Sequence, residues 1–96
     1  MAEVLIAAAA EQDYTEALLW YAGRSEQAAR RFEAEFERAI QAIQMAPERF
    51  PFCDGSHRFY LMRRYPFQVI YRETSGQMMI VAVAHARRQP GYWQGQ

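Results

Sequence analysis

Ninety-six residues, 51% of them hydrophobic and 23% charged, suffice for one domain with one core and exclude a multidomain assembly. The formal charge of zero hides a division: residues 1–56 carry ten acids and five arginines (−5), residues 57–96 six arginines and one acid, Glu73 (+5), which turns the C-terminal half towards an anionic partner. The single cysteine, Cys53, excludes an internal disulfide, and no apolar run approaches the roughly 20 residues that cross a bilayer, so a cytoplasmic protein with no membrane role is expected.

The opening "MAEVLIAAAAEQ" lacks the basic start of a secretion signal and carries Glu3 instead. Val4-Leu5-Ile6 reads as a short strand. From Ala8 the pattern turns helical, with Ala10, Tyr14, Ala17, Leu18 and Tyr21 on one face. Gly23 is a C-terminal cap for this helix and Ser25 an N-cap for the next, and a link this short makes the pair an antiparallel hairpin. The second helix runs from about Glu26 to Met45, with Ala29, Phe32, Phe36, Ile40 and Ile43 inward. Arg30, Arg31, Glu33, Glu35, Glu37 and Arg38 then form a solvated face, with Arg31–Glu35 and Glu35–Arg38 spaced for ion pairs. Pro47 and Pro51 in "PERFP" end it and open a loop through Gly55.

Beyond the loop the period falls to two. "HRFYLMRR" and "FQVIYRE" read as strands meeting at Tyr65-Pro66, and "QMMIVAVAH" as a third strand, entered through Thr74-Ser75-Gly76. The order β-α-α-β-β-β predicts an α+β domain over residues 1–96, a helical hairpin packed on a small antiparallel sheet. Strict alternation puts Met78, Ile80, Ala82 and Ala84 on one side of the last strand and Met79, Val81 and Val83 on the other. Both sides are apolar, and two helices cover only one, so the other face requires the C-terminal tail, a second copy or a partner.

Three stretches together resemble the RelE/ParE family of toxins from type II toxin–antitoxin, or plasmid-stabilisation, modules: "ALLWYAGRSEQAARRFEAEFERAIQAIQMAPERFP", "LMRRYPFQVIYRE" and "IVAVAHARRQPGYW". The resemblance spans Asp13 to Trp93 and implies that family's hairpin-on-sheet fold and a cognate antitoxin, acidic and amphipathic, as partner. RelE-like members cleave messenger RNA on the ribosome, which needs a base, cations for the developing phosphorus charge and an acid. They use strand lysines, an arginine on the third strand, and a C-terminal arginine and tyrosine. This chain has no lysine, and Gln68 stands at the third-strand arginine's place. It therefore looks more like the ParE branch, whose members inhibit DNA gyrase, with growth inhibition as the outcome. The ribosome and messenger RNA remain the alternative target, and a non-toxic antitoxin-binding module is a third reading.

The expected partner-binding residues are Arg63, Arg64, Arg87, Arg88, Tyr92 and Trp93, arginine's planar fork suiting carboxylate or phosphate equally. For a ribonuclease the candidates are His85, Arg87, Arg88 and Tyr92, although a lone histidine at a strand end is more often structural. His57 stands in a loop without further ligand types nearby, so no metal is expected, nor any cofactor. Tyr92 and Trp93, after the Pro90-Gly91 turn, are expected to pack the tail on the domain.

Overall fold

The computed structural model describes residues 3–86 as β1 (Glu3–Ile6), α1 (Ala8–Ala22), α2 (Glu26–Met45), a 3-10 turn (Pro47–Arg49), β2 (Arg58–Leu61), β3 (Phe67–Thr74) and β4 (Gln77–His85). The order is the predicted one, and its local signals act as expected at most element ends. The Ser25 hydroxyl accepts the Ala28 N–H at 3.0 Å at the start of α2. Gly23 closes α1 by donating its N–H to the Leu19 carbonyl at 3.0 Å, yet its φ of −66° is helical, so glycine's left-handed freedom is not what stops the helix. Between β3 and β4, by contrast, Ser75 (φ 50°) and Gly76 (φ 79°) are both left-handed, as a two-residue hairpin turn of the right twist demands.

The strands lie in the order β1-β4-β3-β2. β2 with β3 and β3 with β4 are antiparallel, but β1 runs parallel to β4, from Glu3 opposite Gln77 to Ile6 opposite Ile80, so the sheet is mixed rather than antiparallel throughout. Parallel neighbours need a long crossover, and the helical hairpin lying between β1 and the later strands supplies it. The side chain of Gln77 donates to the Glu3 carboxylate at the start of this pairing, and the Ala7 N–H donates to the Ile80 carbonyl at 2.9 Å where it ends.

Both helices pack on one face. Phe32, Ala39, Ile43 and Ala10 are fully buried there against Val69, Tyr71, Met78, Ile80 and Val83. An aromatic cluster ties hairpin to sheet: Tyr14 lies 4.5 Å from Phe36, Tyr21 5.2 Å from Phe32, and Tyr65 5.4 Å from Phe32 by ring centroids.

Three expectations are corrected. The alternation along β4 breaks at a bulge: Ile70 pairs with Ala82 but Tyr71 with Ile80, so Val81 is an extra residue. Met78 and Ile80 face the helices, but Ala82 and Ala84 join Ile70 and Val81 in a second cluster on the outer face, while Val83 takes the helix side. Secondly, β2 stops at Leu61; Met62 is buried in the core, leaving Arg63 and Arg64 on a turn rather than at a strand end. Thirdly, Glu35 is buried rather than solvated, with its carboxylate 2.5 Å from Arg38, the second of the two anticipated pairs.

Candidate partner-binding site

The β2–β3 turn and the end of β4 meet at one end of the sheet. Met62 donates its N–H to the Phe67 carbonyl at 2.9 Å, Phe67 stands opposite His85, and the Ala86 N–H reaches the Pro66 carbonyl at 2.7 Å. Arg63 and Arg64 are exposed on this turn, and Arg64 holds a left-handed backbone (φ 67°), a conformation that costs a residue with a Cβ of order 1 kcal/mol and persists only where its surroundings impose it. Arg64 also lines a depression with Arg31, Ala34, Glu35 and Tyr65. Arg31 had been assigned to a solvated face, and sequence spacing carried no signal that α2 would bring it beside the turn. Arg87, Arg88, Tyr92 and Trp93 lie outside the described residues.

Not every arginine of the basic half is available. Arg58 donates through Nη1 to the carbonyls of Phe50 at 2.7 Å and Glu48 at 3.1 Å, and its guanidinium lies 3.9 Å from the centre of the Phe52 ring. Arg72 donates to the Thr74 hydroxyl at 2.8 Å. Among the described arginines of this half, Arg63 and Arg64 are the ones placed in the open, so the exposed positive charge concentrates on the turn.

Beside the turn, a cleft of about 560 Å³ runs between α1 and the end of β4, lined by Asp13, Glu16, Trp20, Tyr21, Phe67 and His85 among others. It exists because β1 is short: pairing ends at Ile80, and among the described residues the rest of β4 has no neighbouring strand on that side. Asp13 on α1 takes over there, its Oδ2 accepting the Val83 N–H at 3.0 Å where a further strand's carbonyl would otherwise sit. Trp20, 56% exposed with Arg24 stacked 4.4 Å over its ring, forms the outer wall. Burial, with the neighbouring Tyr65 adding to it, raises the pKa of the Tyr21 hydroxyl.

His85 points to the helix side, its ring edge-on to Phe67 at 5.2 Å. Gln68 occupies the other face of the sheet, between Leu61 and Ala84 in the ladder. The two positions thus do not share a face. His57 is buried, and its Nδ1 lies 3.0 Å from Asp54, which also accepts the N–H groups of Ser56 and His57; this arrangement fixes the loop. The Cys53 thiol points to the His57 carbonyl at 3.4 Å, and burial together with the charge of Asp54 pushes its pKa up, away from nucleophilic use. Among the described residues no group of three metal-ligating side chains converges, and no helix is long and apolar enough to cross a membrane.

A helical hairpin on one face of a short mixed sheet, with a basic turn and an apolar cleft at one end, places the molecule in the class of small α+β domains with a RelE/ParE-like fold. The sequence model for the ParE toxin of the type II toxin-antitoxin system, parDE, matches residues 4–90, and the chain belongs to that family. Among solved structures it is similar to the chromosomal ParDE toxin–antitoxin system from P. aeruginosa, with a TM-score of 0.78 at 15% identity over 91% of this chain and 98% of that one, a likeness of fold. No protein with a curated description matches the sequence significantly.

Proposed function

We propose that this ParE-family toxin arrests growth by inhibiting DNA gyrase, without cleaving RNA, and that a cognate antitoxin neutralises it by covering the basic turn and the adjoining cleft. The observation that carries the first part is the separation of His85 and Gln68 by the sheet. Phosphodiester cleavage needs proton-transferring and cationic groups on one reacting phosphate. Here the histidine sits on the helix face beside Phe67, and the position of the RNA-cleaving members' arginine holds a neutral amide between Leu61 and Ala84 on the opposite face.

For the antitoxin, an amphipathic segment fits best. Its apolar side would rest on Trp20, Tyr21 and Phe67, and its acidic side would face Arg63 and Arg64, away from Asp13 and Glu16 on the α1 rim. Induced expression with parallel assays for DNA-damage response and transcript cleavage tests the target. The expected result is damage without codon-linked cleavage, with His85→Ala as toxic as wild type. If His85→Ala abolishes toxicity while antitoxin binding and thermal stability are unchanged, the ribonuclease reading replaces this one. Arg63→Ala with Arg64→Ala should weaken the antitoxin complex and flatten its salt dependence; an unchanged dissociation constant removes the turn from the interface.

A further inference from the structure

Most of the described arginines are engaged. Arg30 and Arg38 pair with Glu26 and Glu35 at 2.6 and 2.5 Å, Arg24, Arg49 and Arg58 lie over the rings of Trp20, Phe50 and Phe52, and Arg72 donates to the Thr74 hydroxyl. Arg31, Arg63 and Arg64 have no such partner among the described residues. Of these, Arg31 on α2 and Arg64 on the β2–β3 turn line one depression of about 280 Å³, together with Ala34, Glu35 and Tyr65. The backbone fixes both sides of it. Arg31, Ala34, Glu35 and Arg38 follow the i, i+3, i+4, i+7 spacing and share a face of α2, where the short side chain of Ala34 leaves the depression open. Glu35 is buried and held by Arg38, so the carboxylate spaced for Arg31 is already matched. Arg64 is held at φ 67° between anchored neighbours: Met62 is buried in the core, and Tyr65 sits edge-on to Tyr21 at 5.0 Å and to Phe32 at 5.4 Å. Residues with a side chain that are held in this region cluster where a ligand is clamped.

We propose that the depression between α2 and the β2–β3 turn binds a phosphate dianion, as inorganic phosphate or as the phosphate of a small phosphomonoester, between the guanidinium groups of Arg31 and Arg64. Charge favours this ligand. Arg38 cancels Glu35, which leaves the positive charges of Arg31 and Arg64 to be met from outside. A phosphomonoester carries about −1.5 to −2 at neutral pH and offers three acceptor oxygens, which two planar forks satisfy together. A carboxylate has two oxygens, and one arginine already satisfies both. A nucleic-acid strand fits less well, because its phosphates repeat along the chain and call for a row of cations. On α2 the adjacent Arg30 and Arg38 are neutralised by Glu26 and Glu35, and Glu33 and Glu37 are exposed on the same helix. The site stands whichever target the toxin attacks and whether or not an antitoxin uses the turn.

NMR titration of the full chain at constant ionic strength tests it, read at the Nε–H groups of Arg31 and Arg64 and at the Ala34 amide. Inorganic phosphate and phenyl phosphate should both give saturable shifts there. Tighter binding of phenyl phosphate assigns the site to a monoester, and equal or tighter binding of inorganic phosphate assigns it to the free ion. Arg31→Gln and Arg64→Gly should each weaken binding about ten-fold or more, as loss of hydrogen bonds between charged groups does. Glycine takes the left-handed backbone at position 64 without strain, so that variant keeps the turn. Arg30→Gln removes the same charge one residue away and should leave binding unchanged. The proposal is overturned if acetate or dimethyl phosphate, each with a single charge, binds as tightly as phosphate. It is equally overturned by an effect of Arg30→Gln as large as that of Arg31→Gln, or by shifts that never saturate, which would mean an adventitious ion only.

Discussion

The two faces of the sheet are built from similar residue types but closed in different ways. On one, α1 and α2 bring Phe32, Phe36, Tyr14 and Tyr21 onto Val69, Tyr71, Met78 and Ile80. On the other, Ile70, Val81, Ala82 and Ala84 form a cluster poor in aromatic rings, against which no helical residue packs among the described residues. A β-bulge is what divides β4 between them, since one extra residue at Val81 moves everything after it to the opposite side. A large core under the helices thus coexists with a small second cluster on the opposite face, where Phe59 and Met79 pack against it.

The comparison breaks most visibly at Phe32. Truncation of this fully buried ring, which contacts the rings of Tyr14, Tyr21, Tyr65 and Phe67, should cost about 3–5 kcal/mol, enough to leave a marginally stable domain of this size largely unfolded. Denaturant unfolding reads it directly. A loss no larger than that of Val81→Ala on the outer face would mean that the helix side does not dominate stability.

A smaller effect is expected at Asp13, which guards the open edge of β4. Asp13→Ala leaves the Val83 N–H without its carboxylate partner and should cost about 1–3 kcal/mol, accompanied by faster amide exchange at Val83 but not at Val69, in the centre of the sheet. Equal exchange changes at both amides would point to global loosening rather than loss of an edge contact.

The smallest change is expected at Tyr71, whose hydroxyl donates to the Pro47 carbonyl at 2.5 Å and so clamps the loop after α2 to β3. Burial pushes its pKa up to about 12, with nearby Arg58 pulling the other way. The folded state then keeps its proton while the unfolded state loses it near pH 10, so this contribution is intact below pH 10 and is lost as the pH rises towards about 12. Tyr71→Phe should lower stability by about 1 kcal/mol at neutral pH and make the alkaline decline shallower; an unaltered alkaline slope would mean that the hydroxyl is not what titrates.

Helix limits, the Ser25 cap, the order of elements along the chain and the core positions Phe32, Phe36 and Ile43 follow from the sequence alone. Each is written in a local signal: a side chain that can cap, an apolar period of 3.6 or 2, or a glycine where the backbone must turn left-handed. The family, too, is legible in three stretches kept in the right order. The parallel direction of β1, the bulge at Val81, the burial of Glu35 and the approach of Arg31 to Arg64 were decided only by the tertiary structure. Strand direction depends on a crossover, and a bulge depends on the partner strand's register. Whether a charged residue on a helix faces water depends on what the rest of the chain lays against it. The same reason separates His85 from Gln68: the sequence marks the first as a candidate and the second as standing in an arginine's place, but only the pairing of β3 with β4 determines that a sheet stands between them.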